Sequence, residues 1–436
     1  MAASGSIRTR SSLEGLAQSA TLAINERVNQ LRRAGREICH LGFGQSPFPV
    51  HPLMREALAT AADRQNYAPV MGLIELREAI CSFHNSHYDY DFSPDRVLVG
   101  PGSKELIFQA LFVLEGPLIL PTPCWVSYEP QARLCGKQVL PVHTSREEGY
   151  KLTAEQLDAA CRELQSAQKL LILNSPNNPT GGVYTDKELR SLADLCRTRN
   201  VIVISDEIYS MLSFDGAPAK GIGLHLPERT LTAGGISKAH SAGGYRLGFL
   251  AVPREMAEVA RQLATVASET FSCVATPIQA AGVVAFSDSP EILAYIRLCK
   301  SLHAAASGYV HQRVAEAGIS CVRPAGAFYL FPDFQTISEP LVKAGITNSL
   351  ELCKFLLEEF GVAALPGSTF GRHPAELSVR LAVVDYDGEA AIEAAQAGQR
   401  IDVSFADRFF PSLRNACDRL VGFAGSFPPG RATTVS

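Results

Sequence analysis

Lys238 lies between Gly234-Gly235-Ile236-Ser237 and Gly243-Gly244-Tyr245-Arg246. These flanks describe a backbone in close approach, which a surface lysine, the commoner kind, would not need. Its amine is a candidate for a Schiff base with an aldehyde. Asp206 ends the apolar run Val201-Ile202-Val203-Ile204-Ser205, where an acid is costly unless it is paired. Facing a pyridine nitrogen it would keep that nitrogen protonated, although an Asp there also suits a helix N-cap. Tyr209, three residues on, and Asn178, in the turn-forming run Asn177-Asn178-Pro179-Thr180-Gly181, are hydrogen-bonding groups for a phenolic oxygen. Taken alone, the tyrosine reads as core and the asparagine as loop. Arg246 and Ser237 offer a cation and a hydroxyl to a phosphate. An amine, an acid, phenol partners and a phosphate cup in this order are what pyridoxal 5'-phosphate asks of a protein.

Further residues extend the set. Gly102-Ser103-Lys104-Glu105 opens an apolar-periodic stretch to about Leu114, and a helix N-terminus there would present free N–H groups to a phosphate. The run by itself reads first as an N-cap serine. Trp125, the only tryptophan, follows Leu118-Ile119-Leu120 and could stack on a flat ring or fill core. Arg380 interrupts the apolar run Val379–Val383. A buried arginine needs an anion, and a substrate carboxylate held bidentately is preferred here over an ion pair with Asp385 or Asp387.

The elements that must position these residues are apolar runs ending in small or polar residues. Val97-Leu98-Val99, Leu118-Ile119-Leu120, Leu170–Leu173 and Val201–Ile204 read as strands buried on both faces of a mostly parallel sheet flanked by helices. Ligands of such sheets sit beyond the strands' carboxyl ends, where Ser103, Trp125, Asn178 and Asp206 fall. Ser289-Pro290 starts a long helix with Ile292, Tyr295, Ile296, Cys299 and Leu302 at helical spacing. It leads to a smaller α+β domain whose strands include Gly326–Leu330 and Ser378–Leu381. The division expected is a flexible terminus at 1–13, a segment at 14–54 packing on the small domain, a cofactor-binding domain at 55–288, the small domain at 289–427 and a flexible tail at 428–436.

Composition excludes other classes. A hydrophobic share of 46% and a charged share of 19% fit a folded enzyme rather than a disordered chain. The net charge of −4 comes without a basic block, which argues against a nucleic-acid or membrane-surface partner. No apolar run reaches the length of a membrane span. The 11 cysteines are dispersed without metal spacing, as reduced thiols in a cytoplasmic compartment would be. His84 and His87 read as solvated side chains on a surface helix, and no metal site is expected. Residues 1–13, with Arg8 and Arg10 but no acid, read as a frayed terminus before an organellar signal, because no amphipathic pattern is visible.

With these motifs the chain resembles the class I aminotransferases of PLP fold type I, from about Ala17 to Asp387. Tyr67-Ala68-Pro69-Val70-Met71-Gly72 before Leu76-Arg77, the Asn-Pro-Thr-Gly run at 178–181, and Ser237-Lys238 with Arg246 carry the likeness. Ser19–Asn25, Trp125–Tyr128 and Ser175–Asn178 make it most similar to the bacterial-type aspartate aminotransferases. The resemblance implies an obligate homodimer in which Tyr67 reaches the phosphate of the neighbouring subunit. It implies that the Gly44 N–H meets the substrate α-carboxylate opposite Arg380. Lys104 would bind the distal carboxylate of an acidic substrate, helped by Ser19 or Thr21. The activity implied moves an amino group from aspartate or another acidic amino acid to a 2-oxo acid such as 2-oxoglutarate, with Lys238 as base and acid at Cα. A β-eliminating C–S lyase or a cyclopropane-forming synthase would share these residues, and a non-enzymatic PLP-binding protein would share the cofactor. The chain departs from the family at Leu41-Gly42-Phe43-Gly44-Gln45-Ser46-Pro47, where a Gly-Glu-Pro-Asp-Phe run is usual, at Pro101, and from Phe405 to Ser436, which has no counterpart.

Overall fold

The computed structural model describes Gly15 and residues 20–428. Ser19 and the terminal segments 1–13 and 429–436 lie outside the described residues. After β1 (Cys39–His40), a seven-stranded sheet is built from β2 (Val97–Gly100), β3 (Leu118–Thr122), β4 (Val139–His143), β5 (Lys169–Asn174), β6 (Val201–Asp206), β7 (Thr230–Gly235) and β8 (Gly248–Ala251), in the order β2-β8-β7-β6-β5-β3-β4. Every residue of β5 and β6 is buried, as strands covered by helices on both faces require. All pairings are parallel except those of β8, which runs against β2 and β7. This reversal matters for the site. The entrance to β8 lies at the edge where the other strands end, so Arg246 arrives beside Ser103, Asp206 and Lys238.

The long helix Pro290–Glu316 begins as its sequence indicates, with the Ser289 hydroxyl accepting from Ile292 N–H. Beyond it lie β9 (Tyr329–Leu330), β10 (Val362–Ala363), β11 (Leu365–Pro366) and β12 (Val379–Ala382). β12 is the centre of an antiparallel β11-β12-β9 sheet, and β1 pairs with β10 in parallel. The strand expected at Gly326–Leu330 shortens to its last two residues, because Ala327 takes φ +60° and Ala325 and Gly326 bond Gly181 instead. Val28 and Leu31 of the helix Ala20–Arg33 pack with Ile38, Leu357 and Ala363. The helix Pro52–Thr60 runs across position 54 and packs on the helix Thr276–Ala285. One apolar core extends from Val97 and Ile236 through Ile292 and Leu302 to Phe334 and Phe423. No helix among the described residues is long and apolar enough to cross a membrane.

His84 is buried, not solvated. Its Nδ1 faces the Ile80 carbonyl at 2.7 Å, and rings of Phe83, Tyr88, Phe249 and Phe286 surround it. Burial lowers its pKa to about 4, so it serves as a neutral core side chain. His87 meets Asp288 at the surface.

Candidate active site

At the carboxyl edge of the sheet a cavity of about 250 Å³ is lined by Gly44, Ser103, Lys104, Trp125, Asn178, Asp206, Tyr209, Ser237, Lys238, Arg246 and Arg380. These come from both halves of the chain, so the cavity exists only once β12 has been brought against the ends of β5 and β6. Gly102 stands just behind its rim. Tyr67 is 91% exposed in the single chain and does not reach the cavity.

Asp206 is 3% exposed. It accepts from Tyr128 Oη at 2.6 Å and from Ile208 N–H at 3.3 Å, while its own carbonyl is held by Asn174 Nδ2 at 2.8 Å. It caps no helix. Burial raises its pKa to about 6, opposed by the Tyr128 and Ile208 hydrogen bonds and the Lys238 charge. Tyr128 was not anticipated in this role, although it ends the run that carries Trp125. Burial and the Asp206 charge push its own pKa well above the usual tyrosine range, keeping it a donor.

Lys238 Nζ donates to the Gly44 carbonyl at 2.8 Å and lies 5.5 Å from the centroid of the Tyr209 ring. In this structure it is therefore the Gly44 carbonyl that is engaged within the protein. Tyr209 Oη is 2.8 Å from Tyr329 Oη. Tyr329 also lines the cavity, and its sequence context gave no sign of it. Asn178 is buried, its N–H bonded to Asn174 Oδ1 at 2.8 Å.

Gly102, not Ser103, is the N-cap of the helix Ser103–Val113, with φ +91°. That left-handed backbone favours glycine, a Cβ there would also push Arg246 Nη2 aside, and Ser103 becomes the first helical residue, lining the cavity. Arg246 is anchored through the carbonyls of Gly243 and Pro101 at 2.9 and 3.2 Å. An N-terminal helix turn, two serines and a guanidinium thus converge without an acid. Trp125 meets Tyr128 edge-on at 5.2 Å, and Lys104 Nζ stands 5.4 Å from the Trp125 ring. Lys104 is exposed at the cavity rim; partial desolvation and the neighbouring Arg246 lower its pKa.

Arg380 is 1% exposed. It donates to the Gly42 carbonyl and to Asn178 Oδ1 at 3.4 Å, and its Nε has no partner among the described residues. Tyr329 and Phe370 flank the guanidinium. The two acids that could have neutralised it are used elsewhere. Asp385 accepts from His40 N–H at 2.7 Å and pairs with Arg32, and Asp387 caps the helix Gly388–Gln396. A buried cation with an orphan donor, facing a cavity, is a site for an anion. No cluster of metal-binding side chains occurs among the described residues.

Residues 36–396 match the model of the family described as aminotransferase class I and II. The chain belongs to this aminotransferase family. It is 35% identical to the aspartate aminotransferase of Geobacillus stearothermophilus, across 82% of this chain and 90% of that one. It is also 35% identical to the aspartate/prephenate aminotransferase of Cereibacter sphaeroides, with the same coverage. The solved aspartate aminotransferase of Thermus thermophilus with maleate superposes with a TM-score of 0.82 at 29% identity, covering 95% of this chain and all of that one. The aminotransferase is thus a pyridoxal 5'-phosphate enzyme of fold type I. The donor set fits that cofactor: an amine, a buried carboxyl, phenol-directed groups and an acid-free anion cup around one cavity.

Proposed function

We propose that this aminotransferase takes aspartate or another acidic L-amino acid as donor and a 2-oxo acid such as 2-oxoglutarate as acceptor. The observation that carries the proposal is a pair of cations in one cavity, Arg380 and Lys104, neither ion-paired to an acid among the described residues. A dicarboxylic substrate supplies one anion for each. The names of the relatives that act on aspartate support the same choice.

Lys238 would hold the cofactor's aldehyde carbon, Asp206 would pair with its ring nitrogen, and Ser103, Ser237, Arg246 and the helix end at Gly102 would receive its phosphate. Tyr209 and Asn178 would serve its phenolic oxygen, and Trp125 would cover the ring. Bound pyridoxal 5'-phosphate supplies an electron sink for the pair left when the substrate Cα loses its proton. Arg380 grips the α-carboxylate and so fixes which Cα bond faces the lysine. Freed when the substrate amine replaces it, Lys238 Nζ takes the Cα proton as general base and returns it as general acid. Lys104 anchors the distal carboxylate at the rim. Thr21 Oγ1, buried at the cavity without a partner among the described residues, adds a hydroxyl there.

A dimer completes the site in this reading: a tyrosine 91% exposed suits a role on a second chain. We place the protein in the cytoplasm, because eleven unbridged cysteines suit a reducing compartment.

The test is a single-turnover absorbance change of the holoenzyme mixed with single amino acids and no oxo acid. Aspartate and glutamate should convert the cofactor far faster than alanine, leucine or phenylalanine. Lys104→Ala should lower kcat/KM for aspartate about tenfold, as expected for the loss of one charge-assisted contact of roughly 1.4 kcal/mol, and leave alanine unchanged. Equal rates for apolar donors would sink the acidic-substrate reading, and release of pyruvate with ammonia would sink transamination.

A further inference from the structure

The segment from Leu41 to Pro49 passes the cavity without helix or strand beyond β1, so individual contacts must fix it. The Leu41 carbonyl accepts from Ala382 N–H at 2.7 Å, the Gly42 carbonyl meets Arg380, and the Gly44 carbonyl meets Lys238. Past Gly44, the side chain that ties the segment to the sheet domain is Ser46. Ser46 is 6% exposed, and its hydroxyl lies 2.7 Å from Ser241 Oγ. Ser241 in turn closes the turn that starts at the lysine, donating its N–H to the Lys238 carbonyl at 3.1 Å. Tyr295 of the long helix secures the far end by donating to the Pro49 carbonyl at 2.7 Å.

The backbone gives a second, independent sign. Ser241 has φ +55°, a left-handed conformation that costs a side-chain-bearing residue energy and that glycine adopts freely. The same loop places glycines at 243 and 244, yet a serine stands at the strained position, where its hydroxyl has a partner.

We propose that the Ser46–Ser241 hydroxyl pair is a positioning latch for Lys238, resting on the reading of Lys238 as the cofactor-holding amine. Ser46 carries the Gly44 carbonyl, and Ser241 carries the lysine's own turn. Joining them sets where Nζ sits when it meets the substrate Cα. Neither serine touches the reacting atoms, so both act through Lys238.

The experiment uses holoenzyme carrying Ser46→Ala, Ser241→Gly, both together, or Ser46→Thr. Either single change should lower kcat about tenfold, because small misplacements of a reacting group are costly, with KM for the donor nearly unchanged. The pH midpoint of the bound cofactor's visible absorbance should shift, and a Cα-deuterated donor should show a larger isotope effect than with the parent enzyme. The double variant should be no worse than either single one, as expected for two halves of one contact, and Ser46→Thr should keep the parent values. Unchanged kcat and absorbance midpoint in the single variants, or additive losses in the double, would overturn the latch. Borohydride fixation of the cofactor in Lys238→Ala would overturn the Lys238 reading itself, whatever the serine variants do.

Discussion

Charge without a partner organises the site at the residue scale. Among the described residues, Asp206 is buried without a basic side chain bonded to it, and Arg380 is buried without an acid. Each awaits a ligand of opposite sign. For Asp206 the consequence is a pH signature in the cofactor-free protein. The folded pKa of about 6 exceeds the ordinary 3.8, so between these values the native state binds more protons than the unfolded one. Stability therefore falls as pH rises through that window, by on the order of 3 kcal/mol for this one group. Denaturant titrations of cofactor-free protein should show Asp206→Asn less sensitive to pH than the parent over that range. An equal slope in both would refute the buried-acid account. For Arg380, Arg380→Lys should raise KM for donor and acceptor alike, by roughly tenfold or more, because a lysine cannot form the planar two-bond grip. Steady-state kinetics with both substrates decide it. Arg380, Asp206 and Lys238 were legible in the sequence because a charge in an apolar or glycine-rich run is conspicuous. Tyr128 and Tyr329 were not, since a tyrosine in an apolar context looks like core until its hydroxyl partner is known.

Among the elements, the strands that read most clearly were the purely aliphatic ones, β2, β3, β5 and β6. β7 and β8 are harder to see because they are pressed against neighbours that leave no room for side chains. A Cβ at Gly234 would meet the Phe249 ring at 2.5 Å, and one at Gly248 the Ser103 N–H nitrogen at 2.4 Å. The small residues that hide these strands let the lysine strand and the phosphate-side helix approach each other. β4 carries Pro141, tolerable because it is an edge strand. The C-terminal stretch expected to lack a counterpart lies beyond the family match at 36–396, yet solved relatives cover 95% of the chain or more, so most of it is shared; it forms the helices Val403–Phe409 and Pro411–Ser426. Phe410 stacks on Tyr386 at 4.0 Å, and Phe423 packs on Phe334 and Phe360. Arg419 bonds the carbonyls of Glu37 and Phe360, bridging the chain near β1 to the chain near β10. This is structural work at a distance from the cavity. Phe423→Ala should cost about 3–5 kcal/mol of stability while kcat at low temperature stays near the parent value. A large loss of kcat with unchanged melting would mean that the helix acts on the site directly.

At the scale of the whole molecule, the cavity joins residues from Gly44 to Arg380, but Tyr67 is 91% exposed and does not line its own chain's site. If Tyr67 completes the phosphate cup of a second chain, each active site is built by two subunits, and a defect in one chain has a definite address. Lys238→Ala destroys the site of the chain that bears it. Tyr67→Ala damages the site of its partner. In a mixed dimer of the two variants, one site carries both defects and the other carries neither. Mixing the two purified, poorly active variants under conditions of subunit exchange should therefore regenerate activity, approaching a quarter of the parent value per site when exchange is statistical. Size-exclusion chromatography with light scattering should find the dimer in each sample. A monomer, or a mixture no more active than its two components, would place Tyr67 outside the site and leave the phosphate to Ser103, Ser237 and Arg246 of a single chain. Recovery of activity would also give a role to the exposed aromatic ring beside Asn66, whose carbonyl is tied to Thr276 at 2.7 Å. That tie holds the segment in place before a partner arrives, so the second chain would meet a tyrosine already presented rather than one it must order.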